Sequence, residues 1–206
     1  MGNNQSDTYK TITKKSTGLF KDKGSKFIAL AFPVQDEDQI KEILDEVKKS
    51  YHDARHHCYA WVLGYNQEQH KFNDDGEPSG TAGKPIWGQL RSYELCHALI
   101  VVIRYFGGTK LGVRGLINAY KGAAREAIEN NKIVTKTIRD YYSVYFEYPA
   151  MNDVMRIMKE FELQQSAHDF GMSCRIDFSV RQKEADRVVE QINLLRDVTI
   201  KFLRTR

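Results

Sequence analysis

Residues 98–116 read ALIVVIRYFGGTKLGVRGL. The opening run, Ala98 to Ile103, is among the longest apolar runs of the chain. It suits one buried strand and falls far short of the ~18–20 residues a membrane span needs. An unbroken apolar run of this kind marks a strand covered on both faces, at the centre of a sheet. Beyond Gly112 the period changes, and Leu116, Ala119, Tyr120, Ala123 and Ala127 recur on one helical face. The first turn of a helix presents unpaired backbone N–H groups and the positive end of the peptide dipole, so such a junction can hold an anion. Lys110 and Arg114 add charge there. The dinucleotide fingerprint GxGxxG is not written here, because Gly107 and Gly108 are adjacent. A tight turn without a ligand is the competing reading, and Phe106, an aromatic closing an apolar strand, is expected in the core.

Working outward, residues 27–34 read as a strand with a proline at its edge. A helix follows, with Asp36 as cap and Ile40, Ile43, Leu44 and Val47 at helical spacing. Residues 58–63 form another strand, and the polar, glycine-rich stretch 64–85 is expected to stay out of the core. Downstream, Tyr142, Val144, Phe146 and Tyr148 alternate as a strand, and Val154, Ile157, Met158 and Phe161 make a helical stripe. A strand near residues 163–168 leads to the alternating Met172, Cys174, Ile176, Phe178 and Val180. A helix through Ala185, Val188, Val189 and Ile192 and a strand through Val198, Ile200 and Phe202 complete the series. The order β-α-β-β-α-β is the ferredoxin-like arrangement. With a break near residues 134–138, the expectation is an α+β protein of two domains, 1–134 and 138–206.

Composition sets the outer bounds. The 206 residues are 41% hydrophobic and 28% charged, with four prolines, which excludes collagen-like, low-complexity and largely disordered classes. Cys58, Cys96 and Cys174 are odd in number, far apart and without CxxC spacing, against a disulfide framework or structural zinc. The polar start, residues 1–10, does not resemble a signal peptide, so a reducing cytoplasm is the expected home. Thirty-one basic residues against 27 acidic ones give +4, modest for a dedicated nucleic-acid module. Position matters more. Arg104, Lys110, Arg114, Lys121 and Arg125 occur before any acid intervenes, and residues 10–26 hold six lysines against Asp22. Local basic surface of this kind attracts phosphate, or is a solvated face balanced by acids elsewhere.

Two further segments carry chemistry. DARHHCYAW (residues 53–61) enters a strand, and alternation places His56 and Cys58 on one face and His57 on the other. The two histidines are therefore poorly placed to bind one metal, and a hydrogen-bonded structural histidine is the plainer reading. DDGEPSGTAGKP (residues 74–85) offers three carboxylates, three glycines, two hydroxyls and Lys84. It is neither a phosphate-binding GxxxxGK[ST] loop, given Pro78 and Pro85, nor an EF-hand loop. Calcium or magnesium on Asp74, Asp75 and Glu77 is the alternative to a glycine turn with solvated acids. Neither metal nor cofactor is assigned.

Taken together, DDGEPSGTAGKP, RYFGGTKLGVRGL (residues 104–116) with Ala119-Tyr120 beyond it, and His57-Cys58-Tyr59-Ala60 upstream resemble the YigZ/IMPACT family over roughly residues 15–130. The residues matching its motifs are His57, Asp75, Gly76, Glu77, Ser79, Gly80, Thr81, Gly83, Lys84, Arg104, Tyr105, Gly107, Gly108 and Gly112. The second half resembles the C-terminal domain of bacterial two-domain members, akin to domain V of elongation factor G. For the first half the resemblance implies a ribosomal-protein-like fold, shared with a small-subunit ribosomal protein and domain IV of elongation factor G. Members usually read LGxGGL followed by Arg-Ala-Tyr, where this chain has Arg114-Gly115-Leu116 and Asn118-Ala119-Tyr120. They commonly have Thr-His-Asn where it has Arg55-His56-His57. An arginine moved from the slot of Asn118 to Arg114 stays on the same helical face.

Eukaryotic members regulate translation under amino-acid starvation by competing for the activator of an initiation-factor kinase. Two domains like those of a translocation factor point to RNA or the ribosome as partner, by analogy of fold. The leading expectation is thus an RNA- or ribosome-associated regulator of translation, more a binding protein than an enzyme. Its anion contacts would be Arg104, Lys110, Arg114, Lys84, Lys121 and Arg125. The alternatives are a protein-interaction regulator without RNA contact and a hydrolase using residues 74–85. No membrane partner is expected.

Overall fold

The computed structural model describes residues 7–171 and 173–206. Met172, read above as part of an alternating strand, and residues 1–6 of the polar start lie outside the described residues. The described residues form two compact units, Tyr9–Lys136 and Thr137–Arg206, the latter joined by Asp7 and Thr8.

The larger unit runs β1 (Thr8–Ile12), β2 (Ser16–Asp22), β3 (Ser25–Pro33), α1 (Glu37–Ser50), β4 (His56–Leu63), β5 (Gln69–Asn73), α2 (Gly83–Ser92), β6 (Ala98–Tyr105), α3 (Gly112–Glu129) and β7 (Ile133–Thr137). Its main sheet has the order β2-β3-β6-β4-β5, and β1 pairs with β7 in a two-stranded sheet. All pairings in the main sheet are antiparallel. The apolar run Ala98 to Ile103 is its central strand, with Ile100 opposite Ala31 on one side and Ala60 on the other. Alternation divides that strand between two cores. Ile100 and Val102 pack with Ile86 and Leu90 of α2 and Leu116, Ala119, Tyr120 and Ala123 of α3. Leu99, Val101 and Ile103 pack with Ile40 and Val47 of α1. Helix α1 starts where its sequence says it should: Asp36 is extended and accepts the N–H of Gln39 at 2.8 Å, with Glu37 and Asp38 in the first turn.

The expectation for residues 64–85 needs correction. The stretch contains β5 and leads directly into α2, and Ala82 is fully buried in the core with Thr81 and Glu77 buried beside it. Its polar side chains enter the fold because their hydrogen bonds are satisfied internally, which removes the usual penalty of burying them. Phe106 is also corrected: it is 56% exposed, outside the core.

The smaller unit runs β8 (Arg139–Phe146), α4 (Met151–Glu160), β9 (Gln164–Phe170), β10 (Cys174–Arg181), α5 (Gln182–Asn193) and β11 (Val198–Thr205). The sheet order β11-β8-β10-β9, antiparallel throughout, is that of the ferredoxin-like fold. Both helices pack on one face, where Val144, Phe146, Ile176 and Phe178 meet Val154, Ile157, Ala185 and Val188. Tyr148 is not a strand residue, because Pro149 interrupts the ladder and residues Tyr148–Ala150 form a 3₁₀ turn. Asp7 closes this unit through two hydrogen bonds from Arg181, at 2.8 and 3.0 Å, and the guanidinium holds its carboxyl below the usual range. Among the described residues no helix is long and apolar enough to cross a membrane.

Candidate functional site

The three segments singled out in the sequence converge in the larger unit. The entry to β4, the loop before α2 and the turn between β6 and α3 together line a half-open groove of about 730 Å³. Strand pairing explains the convergence: His56 lies opposite Arg104 in the β4–β6 ladder, so the motif at one strand's start faces the motif at its neighbour's end.

The loop from Asp74 to Gly83 is held by its own acids. Asp74 Oδ1 accepts the N–H groups of Ala82 and Gly83 at 3.0 and 2.8 Å, and Oδ2 accepts that of Gly80 at 2.8 Å. One carboxylate thus closes the loop and caps α2 from eight residues upstream. Asp75 Oδ2 accepts the His57 N–H at 2.6 Å, and the Asp75 carbonyl takes a hydrogen bond from His56 Nδ1 at 2.8 Å. A carbonyl only accepts, so His56 carries its proton on Nδ1. His57 Nε2 donates to the Tyr51 carbonyl at 3.0 Å, on the opposite face, as alternation requires. The Thr81 hydroxyl donates to the Pro78 carbonyl at 2.6 Å, while Ser79 and Gly76 stay exposed.

Below the loop lies a buried ion pair. Arg104 Nη1 donates to Glu77 Oε1 at 2.6 Å, and the Tyr120 hydroxyl donates to the same oxygen at 2.8 Å. Cys58 Sγ is 3.3 Å from the Tyr120 hydroxyl and donates to the Asp74 carbonyl at 2.9 Å. Burial pushes both the Cys58 thiol and the Tyr120 phenol well above their ordinary values. Neither is a ready nucleophile. The Arg104 guanidinium also lies 5.5 Å from the ring centroids of both Phe27 and Phe106, within cation–π range. Its Nε has no hydrogen-bond partner among the described residues.

The turn after β6 depends on close backbone approach. A β-carbon on Gly107 would lie 1.9 Å from the carbonyl carbon of Gly24, so only glycine fits, and the Gly107 N–H donates to Ser25 Oγ at 3.1 Å. Gly108 and Gly112 follow with positive φ of 88° and 70°. Helix α3 then begins with Leu111 at its cap position, without a side-chain cap or an acid in its first turn.

Of the expected anion contacts, Arg104 and Lys110 line the groove, with His56, Glu77, Tyr105 and Gly112. Lys110, Arg114, Lys121 and Arg125 are exposed, the last three along α3, with Arg125 paired to Glu129 at 3.1 Å. Lys84 is exposed on the first turn of α2, outside the groove lining. Arg104 is not a surface cation: its charge is met by Glu77 inside the fold. The acids thought to be solvated or to bind calcium or magnesium are engaged with backbone N–H groups and Arg104. No cluster of metal-ligating side chains occurs among the described residues. Sequence reasoning did not assign Asp74 its capping role, nor Asp53, Ala54, Leu111 and Val113 to the groove wall. Their only signal was their place inside the quoted segments.

Known proteins align with these features. The Impact N-terminal domain matches residues 23–128, a span that contains every groove residue. The IMPACT family member YigZ of Escherichia coli (strain K12) is 36% identical over 138 residues, 66% of this chain and 68% of that protein. YvyE of Bacillus subtilis (strain 168), another IMPACT family member, is 32% identical over 166 residues, 81% and 76% of the two chains. A crystal structure described as that of a hypothetical protein superposes with a TM-score of 0.70 at 27% identity, covering 97% of this chain and 98% of its own. With the domain match spanning the groove and relatives matching over most of its length, the chain belongs to the IMPACT family.

Proposed function

We propose that the chain regulates translation by contacting RNA or the ribosome through the glycine turn and the basic side of α3. The observation that carries this reading is the exposed series Lys110, Arg114, Lys121 and Arg125 beside a helix N-terminus that the protein leaves uncapped. Arg114, Lys121 and Arg125 fall at i, i+7 and i+11, one face of the helix. Oxygens of a phosphate backbone suit such a surface, since the first-turn N–H groups and the cations favour the same charge.

Co-sedimentation with ribosomes across a salt series tests it. Arg104 is unsuited to the variant because replacing it would strand Glu77, so the variant is Lys110→Ala/Arg114→Ala/Lys121→Ala. Binding should fall steeply with salt, and the triple variant should flatten the logarithmic salt slope by about three. Absence of binding at low salt would overturn the reading.

A second reading has its own support. Edge strand β5 is exposed along its whole length; within it Phe72 is 39% exposed and His70 is stacked on Trp87 at 4.7 Å. An open edge with aromatic side chains suits a protein partner. Partner capture that survives nuclease treatment would favour this reading over RNA contact.

A further inference from the structure

We infer that the groove is a binding site for one nucleoside monophosphate unit, free or as an unpaired nucleotide of an RNA. The inference rests on the phosphate-contact reading of the glycine turn and gives it a defined ligand. Two independent features call for an anion at one end. Helix α3 is 18 residues long and opens into the groove at Gly112 and Val113 with neither cap nor acid. Its two companions in this unit are closed by carboxylates, Asp36 at α1 and Asp74 at α2. The second feature is Arg104, which lines the same groove at 7% exposure: Glu77 meets its charge at Nη1, while its Nε is a buried donor left without an acceptor among the described residues. Lys110 stands at the lip. Of the two acids of the lining, Glu77 is paired with Arg104, and Asp53 accepts the Tyr105 hydroxyl at 2.8 Å.

The rest of the groove is too large and too apolar for a bare phosphate. A volume of about 730 Å³ lies within the roughly 300–1,000 Å³ of small-molecule sites. Ala54, Pro78, Phe106, Leu111, Val113 and Leu116 form its apolar wall. Phe106 and Val113, 56% and 59% exposed, both line this one groove, so their apolar surface is presented to its interior. An exposed aromatic ring backed by a guanidinium is a stacking platform for a base. His56 and Asp53 supply hydrogen-bonding groups to a polar heterocycle, which distinguishes the wall from one suited to an acyl chain.

The test is calorimetric titration of the full chain with adenosine 5′-monophosphate, adenosine and inorganic phosphate. It is joined by binding of two RNA hairpins, one fully paired and one with a single bulged adenosine. The monophosphate should bind at least about tenfold tighter than adenosine or phosphate alone, and Phe106→Ala and Lys110→Ala should each weaken it about tenfold. Preference for the bulged hairpin, with weak free nucleotide, identifies RNA as the source; free nucleotide binding with no hairpin preference identifies a small molecule. Phosphate binding as tightly as the monophosphate, indifference to both variants, or absence of binding in every arm would overturn the site. If the monophosphate binds but ribosomes do not co-sediment, the ribosome reading fails and the groove stands.

Discussion

Helix α2 starts at Gly83 with both oxygens of Asp74 occupied by the N–H groups of the chain entering it. Helix α3 starts at Gly112 with Leu111 at its cap position and no acid in its first turn. Both follow glycine-containing turns, both border the same core, and both carry the same peptide dipole. One N-terminus is used up by the fold, and the other is left over. The contrast explains why the acidic loop, the richest stretch of the sequence in candidate ligands, is a structural element. The plainer turn beyond β6 is where the proposed ligand surface lies.

If the acidic loop is structural, damage to it should be read first as lost stability. The largest effect is expected from Glu77→Ala, which strands Arg104 as an unpaired buried charge and removes the acceptor of the Tyr120 hydroxyl. A loss of about 3–5 kcal/mol is expected in urea unfolding. Asp74→Ala should follow, at about 2–3 kcal/mol, because three backbone N–H groups lose a charged acceptor together. Either variant retaining wild-type stability while losing ligand binding would invert the comparison and make the loop the site.

Alkali offers a gentler probe of the closed side. Cys58 and Tyr120 are held protonated in the folded state well above the ordinary values of 9.0 and 10.0, chiefly by burial. Above pH 9.0 the unfolded chain releases a proton that the folded chain keeps, so stability is full below that value and declines as pH rises. The decline should be about 1.4 kcal/mol per pH unit from the thiol. Cys58→Ala should make the decline between pH 9.0 and 10.0 shallower, leaving the part due to Cys96, whose thiol burial also raises, until Tyr120 adds to it above pH 10.0. A wild-type stability curve flat between pH 9 and 10 would mean that the thiol is not enclosed by this network.

How much of this was written in the sequence follows from how local each signal is. The central strand and α3 were legible because Ala98 to Ile103 and the stripe from Leu116 to Ala127 are statements about neighbours one turn or one pleat away. So was α1, whose cap Asp36 adjoins it. Helix α2 was not legible: its cap arrives from Asp74, and Pro85 in its first turn, where the missing N–H costs little, looked like a loop marker. Strand β5, exposed at every position, has no alternation to betray it. For the site, the motif segments were visible but not their sorting. Arg104 reads as one more cation beside Lys110 until the β4–β6 ladder and the loop bring Glu77 against it. Phe106 reads as core until the turn carries it out to the groove.

The smallest stability effect provides the sharpest test of the contrast, because its two consequences have opposite signs. Val113 is 59% exposed in the first turn of α3, so Val113→Glu removes little packing and gives this helix the acid that α1 carries at its start. A carboxylate there complements the dipole and should stabilise the chain by about 0.3–1 kcal/mol. The same carboxylate occupies the charge position left for an anion, so binding of adenosine 5′-monophosphate and of RNA should weaken. Val113→Gln, similar in size but uncharged, separates charge from shape and should leave both quantities near wild type. Greater stability with unchanged binding would show that the open N-terminus of α3 is merely uncapped. Greater stability bought with lost affinity would show that the missing cap is what the ligand replaces.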